Sequence, residues 1–390
     1  MITPVLPTYA RAPLSFVEGE GPWLKTDDGK RYMDLGSGIA VTLLGHANPI
    51  LVKALEEQAR RLWHTSNLYQ IPNQQALAER LVDNTFADTA FFCNSGTEAV
   101  ELAVKMARKY FSHSGQPART DIITFKGAFH GRSSAGIAAS GGEKMVGGFG
   151  PILPGFVHLD WGDWDGVKDA VTDTTAAIML EPVLGEGGIK VVPVEALRLL
   201  REICDDAGIL LIFDEIQCGV GRTGRLFAHE WAGVTPDIMT IAKGIGGGFP
   251  LGVCVATEEA AGGMVVGTHG STYGGNPLAC AVGIAVMDTV LADGFLDNVN
   301  RLAGRMRQGL EGLVASHPDV FESVRGEGLM LGLRCKKPVP DVVAAGYDAE
   351  VIVVPAADNI VRIMPPLNIT EDEIAEGLRR LDTAASALGV

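Results

Sequence analysis

Between Ala90 and Lys243, short unbroken apolar runs alternate with longer stretches whose apolar residues recur every three or four positions. The runs are AFFC (90–93), DIITF (121–125), AAIMLEP (176–182), ILLIFDE (209–215) and DIMTIAK (237–243). Runs of this length without polar alternation suit strands covered on both faces. The stretch PVEALRLLREICDDAG (193–208) reads as a helix whose final glycine sits at the C′ position. Strands alternating with helices predict βαβ units and a mostly parallel sheet. Ahead of them, WLKTDDGKRYMDL (23–35) predicts a hairpin turning at Asp28-Gly29, and ILVKALEEQARRLW (50–63) has helical spacing at Leu51, Leu55 and Leu62. From about 277 the texture changes. Two long helical patterns precede GLMLGLRC (328–335) and NIVRIMPPL (359–367), and a last helix starts at Thr370 with Glu373 completing a capping box. This end reads as a smaller α+β domain.

Composition narrows the function classes. With 390 residues, 47% of them hydrophobic, and 49 glycines, the chain reads as a soluble, loop-rich globular protein of two domains. A net charge of −15 argues against nucleic acid or an anionic membrane surface as partner. No apolar run reaches the length of a membrane span, and MITPVLPTYARAPL lacks a secretory pattern. The cysteines at 93, 204, 218, 254, 280 and 335 form no CxxC pair, so neither a disulfide framework nor a metal site is expected, and a cytoplasmic setting fits.

HExxH, GxSxG and the Walker phosphate loop are absent. GVGRTG (219–224) matches GxGxxG, but it follows Asp214-Glu215 in turn-like sequence and reads as a glycine-rich turn rather than a dinucleotide site. Three other stretches carry chemistry. In CNSGTEAV (93–100) a strand runs into a helix capped by Ser95 and Glu98, and Gly96 leaves the first N–H groups open to an anion. A well-capped helix with no ligand fits the same residues. In LLIFDEIQ (210–217) an acid, Asp214, ends a buried strand, where it needs a cation or a donor; a structural carboxylate is the other reading. In IAKGIGGGFP (241–250) a single lysine, Lys243, precedes four glycines, whose bare backbone lets a flat ligand lie close. Partial desolvation turns such a lysine into a nucleophile, whereas a surface lysine before a flexible loop needs no explanation. Asp214 and Lys243 are one crossover apart, which places both at one edge of the sheet. A phosphate cradle, a buried carboxylate and an activated lysine are together the protein parts that pyridoxal phosphate requires.

The chain also resembles the class III, fold-type I pyridoxal-phosphate aminotransferases over nearly its whole length. The resemblance is carried by GIAVTLLGHANP (38–49), NSGTEA (94–99), AFHGR (128–132), EPVLGEGG (181–188), DEIQCGVGRTG (214–224), AKGIGGGFPLG (242–252), HGSTYGGNP (269–277) and VRIMPPL (361–367). HTSNLY (64–69) favours the acetylornithine branch of that family. The fold so implied is α/β. A segment 1–45 packs with the small domain, a large domain 46–276 holds a seven-stranded-type, mostly parallel sheet flanked by helices, and a small domain covers 277–390. The implied cofactor is pyridoxal 5′-phosphate. Lys243 then holds its aldehyde and moves a proton, Asp214 meets its ring nitrogen, and Gln217 reaches its phenolic oxygen side. Gly96 and Thr97 contact the phosphate, Phe129 stacks on the ring, and Thr272 of a second subunit completes the cradle. Arg132 holds a substrate carboxylate, Ser271 lies beside the substrate, and Glu186 and Arg362 adapt the site to a second substrate. The implied reaction moves the terminal amino group of N2-acetylornithine to 2-oxoglutarate in a ping-pong sequence, by a homodimer. Ornithine, succinylornithine, N-succinyl-diaminopimelate and 4-aminobutyrate are the alternative donors. Leu184 stands where relatives of this kind carry Gln, which removes a hydrogen bond near Glu186, and Cys218 stands where Thr is common.

Overall fold

The computed structural model describes residues 3–389. Its central sheet has seven strands in the spatial order Thr89–Cys93, Gly252–Ala256, Ile238–Ile241, Leu210–Asp214, Thr175–Leu180, Asp121–Phe125 and Phe156–Leu159. Each predicted apolar run falls in one of these strands. Gly252–Ala256 runs antiparallel to both its neighbours, and the other pairings are parallel. The strands ending at Cys93, Phe125, Leu180, Asp214 and Ile241 therefore finish at one edge. Parallel sheets bind ligands at that edge, because the connections leave it open. The sheet is buried between helices. One is Gly96–His113, which turns Ala99, Val100, Ala103, Met106 and Phe111 inward.

Helix ends follow local chemistry with one adjustment. Thr370 and Glu373 form the expected capping box, and Gly208 ends the helix Val194–Ala207 in the left-handed conformation. At Gly96–His113 the Ser95 hydroxyl accepts from the Glu98 N–H, but the Glu98 carboxylate reaches back to the N–H of Asn94 rather than of Ser95. The helix expected over 50–63 spans Pro49–Ala59. Beyond it the Arg61 N–H closes on the Gln58 carbonyl, a tighter turn, and Leu62 has no core to face.

The hairpin Trp23–Thr26/Arg31–Asp34 forms as expected, and Val351–Ile352 adds to it in parallel. A separate antiparallel sheet holds Phe321–Glu327, Met330–Cys335, Ile360–Ile363 and Val354–Ala356. Directly after Asp34, residues 37–40 make one left-handed turn, with φ of 48°, 61°, 67° and 60°. Left-handed helix costs roughly 1–2 kcal/mol per residue that carries a Cβ, and Ser37, Ile39 and Ala40 all do. No single helix among the described residues is long and apolar enough to cross a membrane.

Gly252 ties the sheet to the helix that starts at Gly96. A Cβ at 252 would stand 2.4 Å from the Ser95 carbonyl oxygen, which is backbone and has little room to retreat. Gly252→Ala is expected to lower stability by about 1–3 kcal/mol, the cost of overpacking, read as a lower urea midpoint at unchanged slope.

Candidate active site

Phe213 is paired with Leu180, so the next residues, Asp214 and Glu181, end adjacent strands side by side. Asp214 is also paired with Thr240, which leaves Lys243 three residues beyond the same edge. Two buried acids this close require donors. His130 Nδ1 donates to Asp214 Oδ2 at 2.8 Å, and the Ile216 N–H donates to Oδ1 at 3.1 Å. Glu181 accepts from the N–H groups of Phe129 at 2.9 Å and Gly185 at 3.1 Å. Burial, with the Asp214 charge adding to it, pushes the Glu181 carboxyl up to about 7. Burial disfavours a charged ring at His130, but the bond to Asp214 and the charge of Glu181 outweigh it and hold the imidazole above its ordinary value.

The edge opens into a cavity of about 440 Å³. Gly96, Thr97, Phe129, Arg132, Glu186, Asp214, Gln217 and Lys243 all line it. Lys243 is half-buried at φ 49°. Burial lowers the affinity of its amine for a proton and Arg362 adds to that, while Glu186, Glu181 and Asp214 pull the other way. Arg362 stands just behind the wall. Its Nη1 donates to Glu186 Oε1 and, at 3.2 Å, to Gln217 Oε1, while Nη2 donates to the Pro355 carbonyl at 2.9 Å. The Arg132 guanidinium lies 5.6 Å from the centre of the Phe129 ring, exposed at the rim. The Thr97 hydroxyl faces the loop above it, accepting from the N–H groups of Arg132 and Ser133. Gly131, at φ 115°, closes that loop, and a Cβ there would stand 2.3 Å from Thr97 Oγ1.

Thr272, expected to serve a second subunit, and Ser271 beside it do not border this chain's own cavity. The Ser271 hydroxyl accepts from the Gly274 N–H, and Thr272 is exposed. The glycines after Lys243 differ from expectation. Gly244 is close-packed on Leu43 and Gly247 on Leu51, so within the run 244–248 only Gly248 borders the cavity. Leu184 is buried against Gly127 and Gly187, away from the cavity wall, and the Glu186–Arg362 pair forms without a polar side chain at 184. Sequence reasoning missed His130 and Glu181. Glu181 carries the signal that marked Asp214, an acid ending a fully apolar strand. His130 carries none, because its partner is 84 positions away.

The match to a family model described as "Aminotransferase class-III" runs over residues 7–385. The chain belongs to the class-III aminotransferases. Relatives include proteins named acetylornithine aminotransferase from Rhodobacter capsulatus, 68% identical over 100% of this chain and 99% of that one, and from Mesorhizobium japonicum, 58% identical over 98% and 96%. Among solved structures, the ornithine aminotransferase of Toxoplasma gondii superposes with a TM-score of 0.94 at 29% identity, covering 98% of this chain and 93% of that one. The N-acetylornithine aminotransferase of Stenotrophomonas maltophilia gives 0.86 at 38%, covering 97% of each. Pyridoxal phosphate is the cofactor of this family, and the donor set suits it: an amine with lowered proton affinity, a hydrogen-bonded carboxylate and the N-terminus of an 18-residue helix border one cavity.

Glu181 gives the site a pH signature. Its carboxyl holds a proton in the folded chain up to about 7, whereas the unfolded chain releases it near the ordinary glutamate value of 4.5. Folding therefore loses stability as pH rises from 4.5 to 7. Glu181→Gln is expected to flatten that fall by roughly 3 kcal/mol, read from urea unfolding of the cofactor-free chain at both ends of the window.

Proposed function

We propose that this chain moves the terminal amino group of N2-acetyl-L-ornithine to 2-oxoglutarate, giving N-acetyl-L-glutamate 5-semialdehyde and L-glutamate, a step of arginine biosynthesis. Support comes from the relatives named acetylornithine aminotransferase. The observation that carries the reading is the Glu186–Arg362 pair beside Lys243. One substrate presents a single carboxylate far from the reacting nitrogen, and the other presents two, one next to the reacting carbonyl. A cation that can be neutralised or released serves both.

Bound pyridoxal phosphate supplies an aldehyde and an electron-accepting ring. In this reading Lys243 would hold the aldehyde end of the cofactor, and its amine, with lowered proton affinity, would be the group that carries a proton. Asp214, steadied by His130, would meet the ring nitrogen and favour its protonated form. The N–H groups at Gly96 and Thr97 would receive the phosphate, Phe129 would cover the ring, and Gln217 would serve its phenolic oxygen side. Arg132 takes the distal carboxylate of either substrate by a bidentate contact. Glu186 neutralises Arg362 while the acylated amine is bound and frees it for the keto acid.

A cytoplasmic homodimer fits the exposed residues. Asn67 donates to the carbonyls of Ser271 and Gly274, which joins the segment carrying the exposed Leu68 and Tyr69 to the one carrying the exposed Tyr273. Thr272 of the partner subunit then closes the phosphate cradle and Ser271 approaches the substrate. The division proposed is a segment 1–45, a large domain 46–276 and a small domain 277–390.

Initial rates on N2-acetylornithine, ornithine, succinylornithine, N-succinyl-diaminopimelate and 4-aminobutyrate test the assignment. The highest kcat/KM should fall on acetylornithine, and a preference for any other donor would overturn it. Rapid-mixing spectra then separate the two halves of the reaction. Arg362→Ala is expected to slow the 2-oxoglutarate half by roughly 10- to 100-fold, the worth of a hydrogen bond to charge, and to spare the amine half. Glu186→Ala should do the reverse, and equal slowing of both halves by Arg362→Ala would remove the switch. Light scattering at assay concentration should give the mass of two chains; an active species with the mass of one chain would refute the dimer.

A further inference from the structure

We infer that Asp34 is a positioning residue of this active site: it holds residues 37–40 in their left-handed turn, and that turn sets both the Val41 wall of the cavity and the seat of the Arg362 strand. The kinetic arm of the inference rests on the aminotransferase reading, whereas the backbone arm does not.

A run of left-handed residues that includes a β-branched side chain persists only where its surroundings over-determine it. Here Asp34 does so. It is buried, and its Oδ1 accepts from the N–H groups of both Gly36 and Ser37 at 2.9 Å. Its Oδ2 accepts from His46 Nε2, also at 2.9 Å. His46 is itself fixed, since its backbone N–H and carbonyl pair with Gly21. Room is tight as well, because a Cβ at Gly36 would stand 2.4 Å from Val354 Cγ2. The turn closes when the N–H groups of Val41 and Thr42 donate to the Ser37 carbonyl at 2.8 and 3.0 Å.

The chain on either side of the turn is tied to one distant segment. The Leu35 carbonyl accepts from the Met364 N–H at 2.6 Å, and the Leu43 carbonyl accepts from the Leu367 N–H at 2.8 Å. Met364 lies two residues after Arg362. Between the ties, Val41 lines the cavity, Thr42 approaches Gly248, and Leu43 packs on Gly244 in the loop that follows Lys243. The stretch 35–43 thus touches the Arg362 strand on one side and the Lys243 loop on the other. Reversing the hand of residues 37–40 rotates everything between the two ties, so the Val41 wall and the Leu43–Leu367 bond cannot both survive it. Lys243 and Asp214 ride on the central sheet and keep their places. Loss of Asp34 therefore weakens substrate binding more than the chemical step.

Ser37 supplies a rescue. Its hydroxyl is buried with no hydrogen-bond partner among the described residues, and its φ is 48°. Ser37→Gly keeps the N–H that Asp34 holds, breaks no hydrogen bond of that hydroxyl, and removes the left-handed penalty at that position.

The test compares Asp34→Ala, Asp34→Asn and the double variant Asp34→Ala/Ser37→Gly as holoenzymes. In Asp34→Ala, amide hydrogen exchange over 36–43 should quicken by roughly tenfold or more, while the strands 210–214 and 238–241 stay protected. KM for both substrates should rise by about tenfold or more, with kcat falling less than about threefold. The double variant should recover KM by about threefold or more. Asp34→Asn, which keeps one oxygen for Gly36 and Ser37, should fall between, and it carries the same readouts if Asp34→Ala does not fold. Unchanged exchange over 36–43, a loss confined to kcat, or no rescue by Ser37→Gly would each overturn the inference. Faster exchange together with turnover of none of the amines would instead sink the reaction and leave the clamp standing.

Discussion

Two carboxylates end neighbouring strands of a parallel sheet, and much of the site exists to make that tolerable. An unpaired buried charge costs several kcal/mol, so each acid must find donors or keep a proton. Asp214 takes the His130 imidazole, and Glu181 takes two backbone N–H groups and an elevated proton affinity. One set of these donors comes from the loop 128–131. Holding that loop over the strand ends places Phe129 above the cavity and Arg132 at its rim, and it presses Gly131 against Thr97 where no Cβ fits. The positions of Phe129 and Arg132 follow from solving the burial problem of the two acids.

The opposite wall is built differently. Lys243 follows its strand at positive φ and enters a glycine run, in which Gly244 and Gly247 admit Leu43 and Leu51 while Gly248 borders the cavity. Close backbone approach is what glycine permits, but here the approaching groups are core side chains. That packing joins the lysine loop to the stretch 35–43, which is bonded in turn to the segment after Arg362. The sheet edge thus carries Asp214 and Lys243, and the left-handed stretch carries the Val41 wall of the same cavity.

Arg362 shows how little its surroundings resemble a surface ion pair. It is almost wholly buried, and it shares one nitrogen between the Glu186 carboxylate and the Gln217 amide oxygen. Burying a guanidinium is costly where its donors are unmet, so a carboxylate that moves away must leave other acceptors behind. Gln217 and the Pro355 carbonyl are those acceptors.

The sequence by itself determined five of the seven strands of the central sheet, all but Phe156–Leu159 and Gly252–Ala256, the helix caps at Ser95 and Thr370, and the sheet edge to which Asp214 and Lys243 belong. Those features are local: unbroken apolar runs mark buried strands, and a charged residue that ends one must emerge at its edge. Glu181 was legible by the same rule and was passed over. The tertiary structure alone decided that His130 meets Asp214, that Gln217 shares Arg362 with Glu186, that Val41 walls the cavity and that Gly244 and Gly247 face leucines. Each of these joins residues far apart in the chain, where neither periodicity nor spacing carries a signal. Even the end of the helix at Ala59 was settled this way, because Leu62 has the right spacing but no core to reach.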